Sequence, residues 1–282
     1  MGVVYLSGEF LPVEDAKVSV NDRGFLFGDG VYEVTPAYGG RLFRWEQHLA
    51  RLRKGLAAIG IDFDAAALKR VKQELLARNG LDGASGAYVY VQVTRGTAPR
   101  THWFPDPPVA PTVYAFANRF MRPAMEEWER GISAVTVPDQ RWARADIKAI
   151  ALLANVLAAQ AAVEGGAGNA IFVRDGIALE GSHNNLFAVF DGVLATAPKS
   201  NYILHGITRD FLIELAGGMG IAVEERAIPL RELYLADEVF FSGTTTEVRP
   251  VVEIDGRRVG DGTVGPVARR LYEGFLGVVE GG

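Results

Sequence analysis

The sequence predicts an α+β protein in two domains, and three observations carry that prediction. Between residues 1 and 118, alternating strand-like stretches flank two stretches whose apolar residues recur near every 3.6 positions. That is the pattern of two helices packed on an antiparallel sheet, a small N-terminal α+β domain. Around ANRFMRPAMEEWERG the periodicity breaks, which places a linker at 119–125. From 126 to 282 strand and helix patterns resume, with Asp-Gly turns between strands, and form a second, larger domain.

In chain order, VVYLSGEFLP predicts a hairpin turning at Ser7-Gly8. Gly24, Gly28 and Gly30 punctuate a loop ahead of a strand from Val31 to Tyr38, and Gly39-Gly40 closes another hairpin. EQHLARLRKGLAAIGI puts Leu49, Leu52, Leu56 and Ile59 on one helix face. AAALKRVKQELLARNGL is a second helix, stopping at Asn79-Gly80. SGAYVYVQVTRG and PTVYAFANRF follow as strands. Beyond the linker, ISAVTVPDQ is strand-like. A helix is expected to open at Lys148, with Asp146 as its N-cap, and to end at Glu164-Gly165-Gly166. NAIFVRDGIALEG and NLFAVFDGVLATAP are strand pairs, GITRDFLIELAGGMG a helix, IAVEERAIPL a strand and RELYLAD a short helix. EVFFSGTTTEVRPVVEIDGRRVGDG supplies further strands before a last helix in VGPVARRLYEGFLGVV.

Composition narrows the function. The net charge of −5, with no basic block, argues against nucleic acid as a partner. Without cysteine there is no disulfide, thiolate metal ligand or thiol nucleophile, and four scattered histidines make a zinc site improbable. No signal peptide, myristoylation pattern or membrane-spanning run is evident, so a soluble cytoplasmic protein is expected. The GDG at 28–30 opens no helix and is a poor dinucleotide fingerprint.

The chemistry centres on RWARADIKAIALLANVLAAQ and on Lys148 within it. An aldehyde cofactor with a phosphate tail needs an amine, a carboxylate opposite its ring nitrogen and a cradle for phosphate. Lys148 can be the amine. Lys54, Lys69 and Lys72 are expected on polar helix faces, and Lys17 and Lys199 in turns. Taken singly, each candidate has an ordinary alternative. Lys148 could be a solvated lysine, Glu180 a turn glutamate, Arg51 a surface arginine, Thr208 an N-cap residue and Thr244 one polar residue of a Thr-rich loop.

Together, DRGFLFGDGVYE, EQHLARL, RADIKAIALLANVLA, LEGSHNNLF, HGITRD and SGTTTEVRPVVEIDG resemble the fold-type IV pyridoxal-phosphate enzymes over essentially the whole chain. That group holds D-amino-acid transaminases, branched-chain aminotransferases and aminodeoxychorismate lyases. The resemblance implies a β-barrel-like core in the larger domain, pyridoxal 5′-phosphate as cofactor, and Lys148 as the Schiff-base lysine that also shuttles a proton. It implies Glu180 at the pyridine nitrogen, and Arg51, Ile207, Thr208 and Thr244 around the phosphate, the Gly206-Ile207-Thr208 stretch opening a helix whose free amides favour an anion.

In VTRGTAPRTHWFP, Arg100 and His102, with Tyr32 from GDGVYE, resemble the α-carboxylate trap of D-amino-acid transaminases. A guanidinium can grip a carboxylate through two parallel hydrogen bonds. The expected activity is amino transfer from a D-amino acid to a 2-oxo acid, 2-oxoglutarate or pyruvate, in a homodimer. Branched-chain L-amino-acid or (R)-amine transamination and aminodeoxychorismate lysis are the alternatives within the fold. His183 and Asn184 depart from the serines common at these positions, Gly243 replaces a serine of some relatives, and His205 precedes Gly206.

Overall fold

Hydrogen bonding separates the strands into two sheets, and backbone proximity separates the chain into two units. The computed structural model describes residues 2–281. One unit comprises Met1–Met121 with Ile147–Ala151, the other Arg122–Asp146 with Leu152–Gly282.

In the first unit lie β1 (Val3–Leu6), β2 (Glu9–Pro12), α1 (Arg23–Phe27), β3 (Gly30–Tyr38), β4 (Arg41–Leu42), α2 (Trp45–Ala58), α3 (Leu68–Arg78), β5 (Ala87–Thr94) and β6 (Thr112–Arg119). The sheet runs β2-β1-β6-β5-β3-β4 and its paired strands are antiparallel. Strand alternation sends Ala87, Val89, Val91 and Val93 of β5 into one core with Leu49, Leu52 and Leu56 of α2 and Leu68, Leu75 and Leu76 of α3. The opposite parity carries Tyr88 and Tyr90, and Tyr90 stacks on Tyr32 and on Phe116 at centroid distances of 5.4 and 5.0 Å. The short helix α1 was not foreseen. Asp22 caps it, accepting from the Gly24 amide at 2.8 Å.

The second unit holds α4 (Met125–Arg130), β7 (Ile132–Pro138), α5 (Leu153–Glu164), β8 (Asn169–Arg174), β9 (Ile177–Gly181), β10 (Asn185–Phe190), β11 (Val193–Thr196), α6 (Ile207–Gly218), β12 (Val223–Glu225), β13 (Ile228–Pro229), α7 (Leu230–Leu233), β14 (Glu238–Gly243), β15 (Glu247–Ile254), β16 (Arg257–Arg258) and α8 (Pro266–Gly281). Six strands close on themselves in the order β10-β14-β15-β7-β8-β9, because β9 meets β10 again at Glu180 and Asn185. The barrel-like core expected of the larger domain is present. Its filling includes Ala134, Ile171, Leu186, Val239, Phe241 and Val251, while Ala158 and Ala162 of α5 form a cluster with Ala170 and Phe172 of β8. No described helix is long and apolar enough to cross a membrane.

Four expectations need correction. The helix foreseen from Lys148 starts only at Leu153, since 148–150 lie antiparallel to the start of β3: the Tyr32 amide donates to Lys148 O at 2.9 Å and the Ile150 amide to Gly30 O at 3.1 Å. Tertiary pairing there overrides helix propensity. Asp146 is therefore no N-cap, and its carboxylate meets Arg144 Nε at 2.9 Å. IAVEERAIPL is two short strands, β12 and β13, which pair with β11 and β9 respectively. Lys72 is not on a polar face; it is fully buried.

Candidate active site

Within the first unit, Lys148 is placed by the edge of β3. A Cβ on Gly30 would approach Val93 O at 2.6 Å and Ile150 Cδ1 at 3.0 Å, so glycine is what lets 148–150 lie this close. The Lys148 ammonium lies 4.1 Å from the centre of the Tyr32 ring, an attractive cation–π geometry. Two predicted residues from distant stretches thus meet.

Arg51, on α2, grips Glu33 of β3 by two nitrogens, Nε to Oε2 at 2.9 Å and Nη2 to Oε1 at 2.6 Å. His48 Nδ1 shares Oε1 at 2.9 Å and the Val34 amide donates to it at 2.9 Å. Burial alone would raise the Glu33 pKa, but Arg51 and His48 outweigh it and hold the carboxyl well below the usual range. The same burial pushes His48 down to about 4, so its imidazole is neutral at pH 7. Glu33 and His48 were missed. A glutamate alternating with apolar neighbours inside a buried strand was the signal.

Arg100 and His102 come together around Phe27, the guanidinium carbon 5.0 Å and the imidazole 5.7 Å from its centroid. Buried Arg23 ties down this loop by donating to Thr101 O at 2.7 Å, and it meets Asp29 at 2.8 Å. Arg95 binds the same aspartate. Tyr32, the third expected member of the trap, shares no hydrogen bond or ring contact with Arg100 or His102 among the described residues. Its neighbours are Lys148 and Tyr90. Arg100, His102 and Trp103 are exposed.

In the second unit Glu180 ends β9, buried. It receives Arg141 Nη1 in a short ion pair, Asn185 Nδ2 at 3.0 Å and the Leu204 amide at 3.1 Å. Arg141 is shared with Asp139, which takes Nε at 2.9 Å and Nη2 at 3.1 Å. Burial raises the Glu180 pKa more than Arg141 lowers it, so the carboxyl is pushed up to about 7. Arg141, Asp139 and Asn185 carried no recognised signal in the sequence, although Arg141 lies seven residues before Lys148.

Asn185 also donates to Leu204 O at 2.9 Å, which joins Glu180 to the approach of α6. Gly206 stands where that helix begins, and no side chain caps it. A Cβ there would come within 2.0 Å of Asn185 Oδ1, so a larger residue would push the Asn185 amide off its bonds to Glu180 and Leu204. Ile207 and Thr208 are the first helical residues, both buried, and the end of a helix of this length favours an anion. Thr244 lies in the turn after β14, whose Thr246 Oγ1 accepts from Asn184 Nδ2 at 2.6 Å. Asn184 and Asn169 are joined by a hydrogen bond, Ser182 Oγ donates to Asn169 Oδ1 at 2.7 Å, and His183 Nδ1 lies 2.8 Å from Ser182 Oγ. His205 Nε2 lies 3.1 Å from Ser200 O.

The first unit offers an amine on an aromatic face, and the second a buried carboxylate poised near neutrality and an uncapped helix start; each is a kind of group that a ring-nitrogen cofactor with an aldehyde and a phosphate requires. The amino-transferase class IV family pattern matches residues 30–254, so the chain belongs to that family and is a pyridoxal-phosphate-dependent aminotransferase. At finer grain, it is 44% identical over 282 residues to a D-alanine aminotransferase of Staphylococcus haemolyticus, with 99% of each chain covered. It is 42% identical to that of Bacillus licheniformis, covering 95% of this chain and 94% of the relative. Among solved structures it is similar to the branched-chain amino acid aminotransferase of Escherichia coli, with a TM-score of 0.89, 30% identity and coverage of 98% and 94%. The branched-chain aminotransferase of Thermoproteus uzoniensis solved with norvaline gives 0.88 at 31% identity, covering 99% and 95%.

Proposed function

We propose that this aminotransferase takes its amino group from a D-amino acid and gives it to a 2-oxo acid such as pyruvate or 2-oxoglutarate. The observation that carries the D side is Arg100 and His102 gathered on Phe27, in a chain 42–44% identical to D-alanine aminotransferases. Likeness to the branched-chain enzymes is lower in sequence, at 30–32%, and favours that alternative less.

Bound pyridoxal phosphate supplies an electron sink for the substrate α-carbon and parks the amino group between the two oxo acids. In our assignment Lys148 Nζ would hold the cofactor through its aldehyde and, once displaced by the substrate amine, would move a proton at the substrate α-carbon. Glu180 would face the ring nitrogen and favour its protonated form. Its shift toward neutrality suits that sharing, with Arg141 and Asn185 fixing the carboxylate. Arg51, the leading amides of α6 at Ile207 and Thr208, and Thr244 hold the phosphate. Glu33 sets the plane of the Arg51 guanidinium. Arg100, His102 and Tyr32 bind the α-carboxylate. Since Tyr32 does not meet the other two, we assign the working unit as a homodimer in which a second copy of the exposed 100–104 loop completes the trap. The exposed Leu153, Val156, Leu157 and Val163 of α5 suit burial against such a copy.

The test is a half-reaction. The visible band of the bound cofactor is followed as D-alanine or D-glutamate, and then their L-enantiomers and L-leucine, are added in turn. Bleaching by the D-isomers alone is expected, and bleaching by L-leucine instead overturns the assigned handedness. Arg100→Ala is expected to raise the KM for the D-amino acid about 10- to 100-fold, the range of a lost charged hydrogen bond, while cofactor affinity holds.

A further inference from the structure

Lys72 has no part in the chemistry above, yet alone among the lysines it is fully buried. It stands in the apolar stripe of α3, between Leu68 and Leu75. An ammonium carries three donors, and the hydrogen bond it makes goes to Thr35 Oγ1 of β3, with the Trp45 ring centre at 5.3 Å. Thr35 lies two residues after Glu33 on the same sheet face. The charged or titratable groups acting on Lys72 are therefore Glu33 from β3, and His48 and Arg51 from α2. The buried side chains of β5 and β6 are Ala87, Val89, Val91, Val93, Val113, Ala115 and Ala117, with Thr94 the one polar exception.

At neutral pH His48 is uncharged, and Glu33 acts on two cations, the part-buried Arg51 and the fully buried Lys72. A buried ammonium whose one hydrogen bond goes to a neutral hydroxyl is stabilised by negative charge brought near it. We propose that Lys72 is a positioning residue for the cofactor phosphate: its buried ammonium, seated on Thr35 beside the Glu33–Arg51 pair, supplies a second positive charge that holds the dianion. This rests on the assignment of Arg51 to that phosphate. Burial pushes the Lys72 amine down to about 8, and Arg51 pushes the same way against the pull of Glu33. The proton is therefore lost in a range where the phosphate stays dianionic. By linkage, a phosphate that favours the protonated amine is itself bound more tightly when the amine is protonated.

The experiment uses cofactor-free protein and two probes that form no bond to Lys148, pyridoxamine 5′-phosphate and pyridoxamine. Their dissociation constants are measured by calorimetry from about pH 7 to about pH 9.5, and the ratio between them isolates the phosphate. In the native protein the advantage of the phosphorylated probe is expected to fall about tenfold across that range, one pKa unit of linkage. In Lys72→Met, of similar length but uncharged, the advantage is expected to be low at pH 7 and flat with pH. A flat ratio in the native protein, or a Lys72→Met variant that titrates like it, overturns the proposal. The native series decides the matter even if the variant does not fold. Arg51→Gln separates the two assignments. If it leaves the ratio untouched, the phosphate assignment of Arg51 has failed; if it lowers the ratio while the native series is flat, only Lys72 has been misassigned.

Discussion

Two buried glutamates, each paired with an arginine, end up on opposite sides of their ordinary pKa. Glu33 is held well below it and Glu180 is pushed up to about 7. The number of donors does not separate them, for Glu33 takes Arg51, His48 and one amide, and Glu180 takes Arg141, Asn185 and one amide. What differs is how the arginine is shared. Arg51 gives Glu33 two nitrogens, with Lys72 adding positive charge nearby, whereas Arg141 gives Glu180 one and Asp139 two. A carboxylate gripped by two arginine nitrogens is a fixed anchor. One whose counter-charge is divided can exchange a proton near neutral pH, which is what a partner for a ring nitrogen has to do.

The largest effect is expected where the anchor is broken. Glu33→Gln removes the buried carboxylate that Arg51 grips with two nitrogens, and the cofactor-free protein should lose about 3–5 kcal/mol against denaturant at pH 7. A loss under about 1 kcal/mol would mean that Glu33 is no anchor. Glu180→Gln should act on rate instead. On the proposed assignment it would remove the charge that favours a protonated ring nitrogen, and single-turnover rates should drop about 100- to 1,000-fold, the scale for deleting a preorganised electrostatic partner. The two carboxylates should also leave opposite marks on stability against pH. Glu33, with its pKa lowered on folding, contributes stability that is present above about pH 4.5 and lost as pH falls further. Glu180, with its pKa raised, binds its proton more tightly when folded, so cofactor-free stability should decline from about pH 4.5 to about pH 7. Glu180→Gln should erase that declining limb, and its survival in the variant would assign it to another group.

The difference between the glutamates was invisible in the sequence, although much around them was legible. Motif order singles out Lys148, Glu180, Arg51, the α6 start and the Arg100–His102 pair as the proposed site, because each belongs to a local string of residues. The helix expected to open at Lys148 failed since the residues in question spend their backbone groups on β3, a partner more than 100 positions away. Lys72, expected on a polar helix face, is fully buried. The stripe Leu68, Lys72, Leu75, Leu76 has the spacing of an inward face and was the signal overlooked. Tyr32 was grouped with Arg100 and His102 by motif, whereas the backbone puts it beside Lys148. Charge sharing such as that of Arg141 links residues 139, 141 and 180 through tertiary contact, and no periodicity encodes it.

If sharing of Arg141 is what poises Glu180, the smallest intervention should sharpen the contrast most cleanly. Asp139→Asn removes the competing charge while keeping side-chain size, in a position wholly shut from water. Arg141 then has one carboxylate to serve, and the negative charge that helped raise Glu180 is gone. The Glu180 midpoint should move down by about one unit, roughly 1.4 kcal/mol of proton affinity. The declining limb of stability should end correspondingly lower in pH. Arg174, which also meets Asp139 at 3.1 Å, loses a partner in this variant, so overall stability should fall as well. The midpoint is the diagnostic quantity, because a general loosening lowers the whole curve without displacing the limb along the pH axis. A limb that stays at about pH 7 would mean that burial alone poises Glu180 and that Asp139 serves only to orient Arg141.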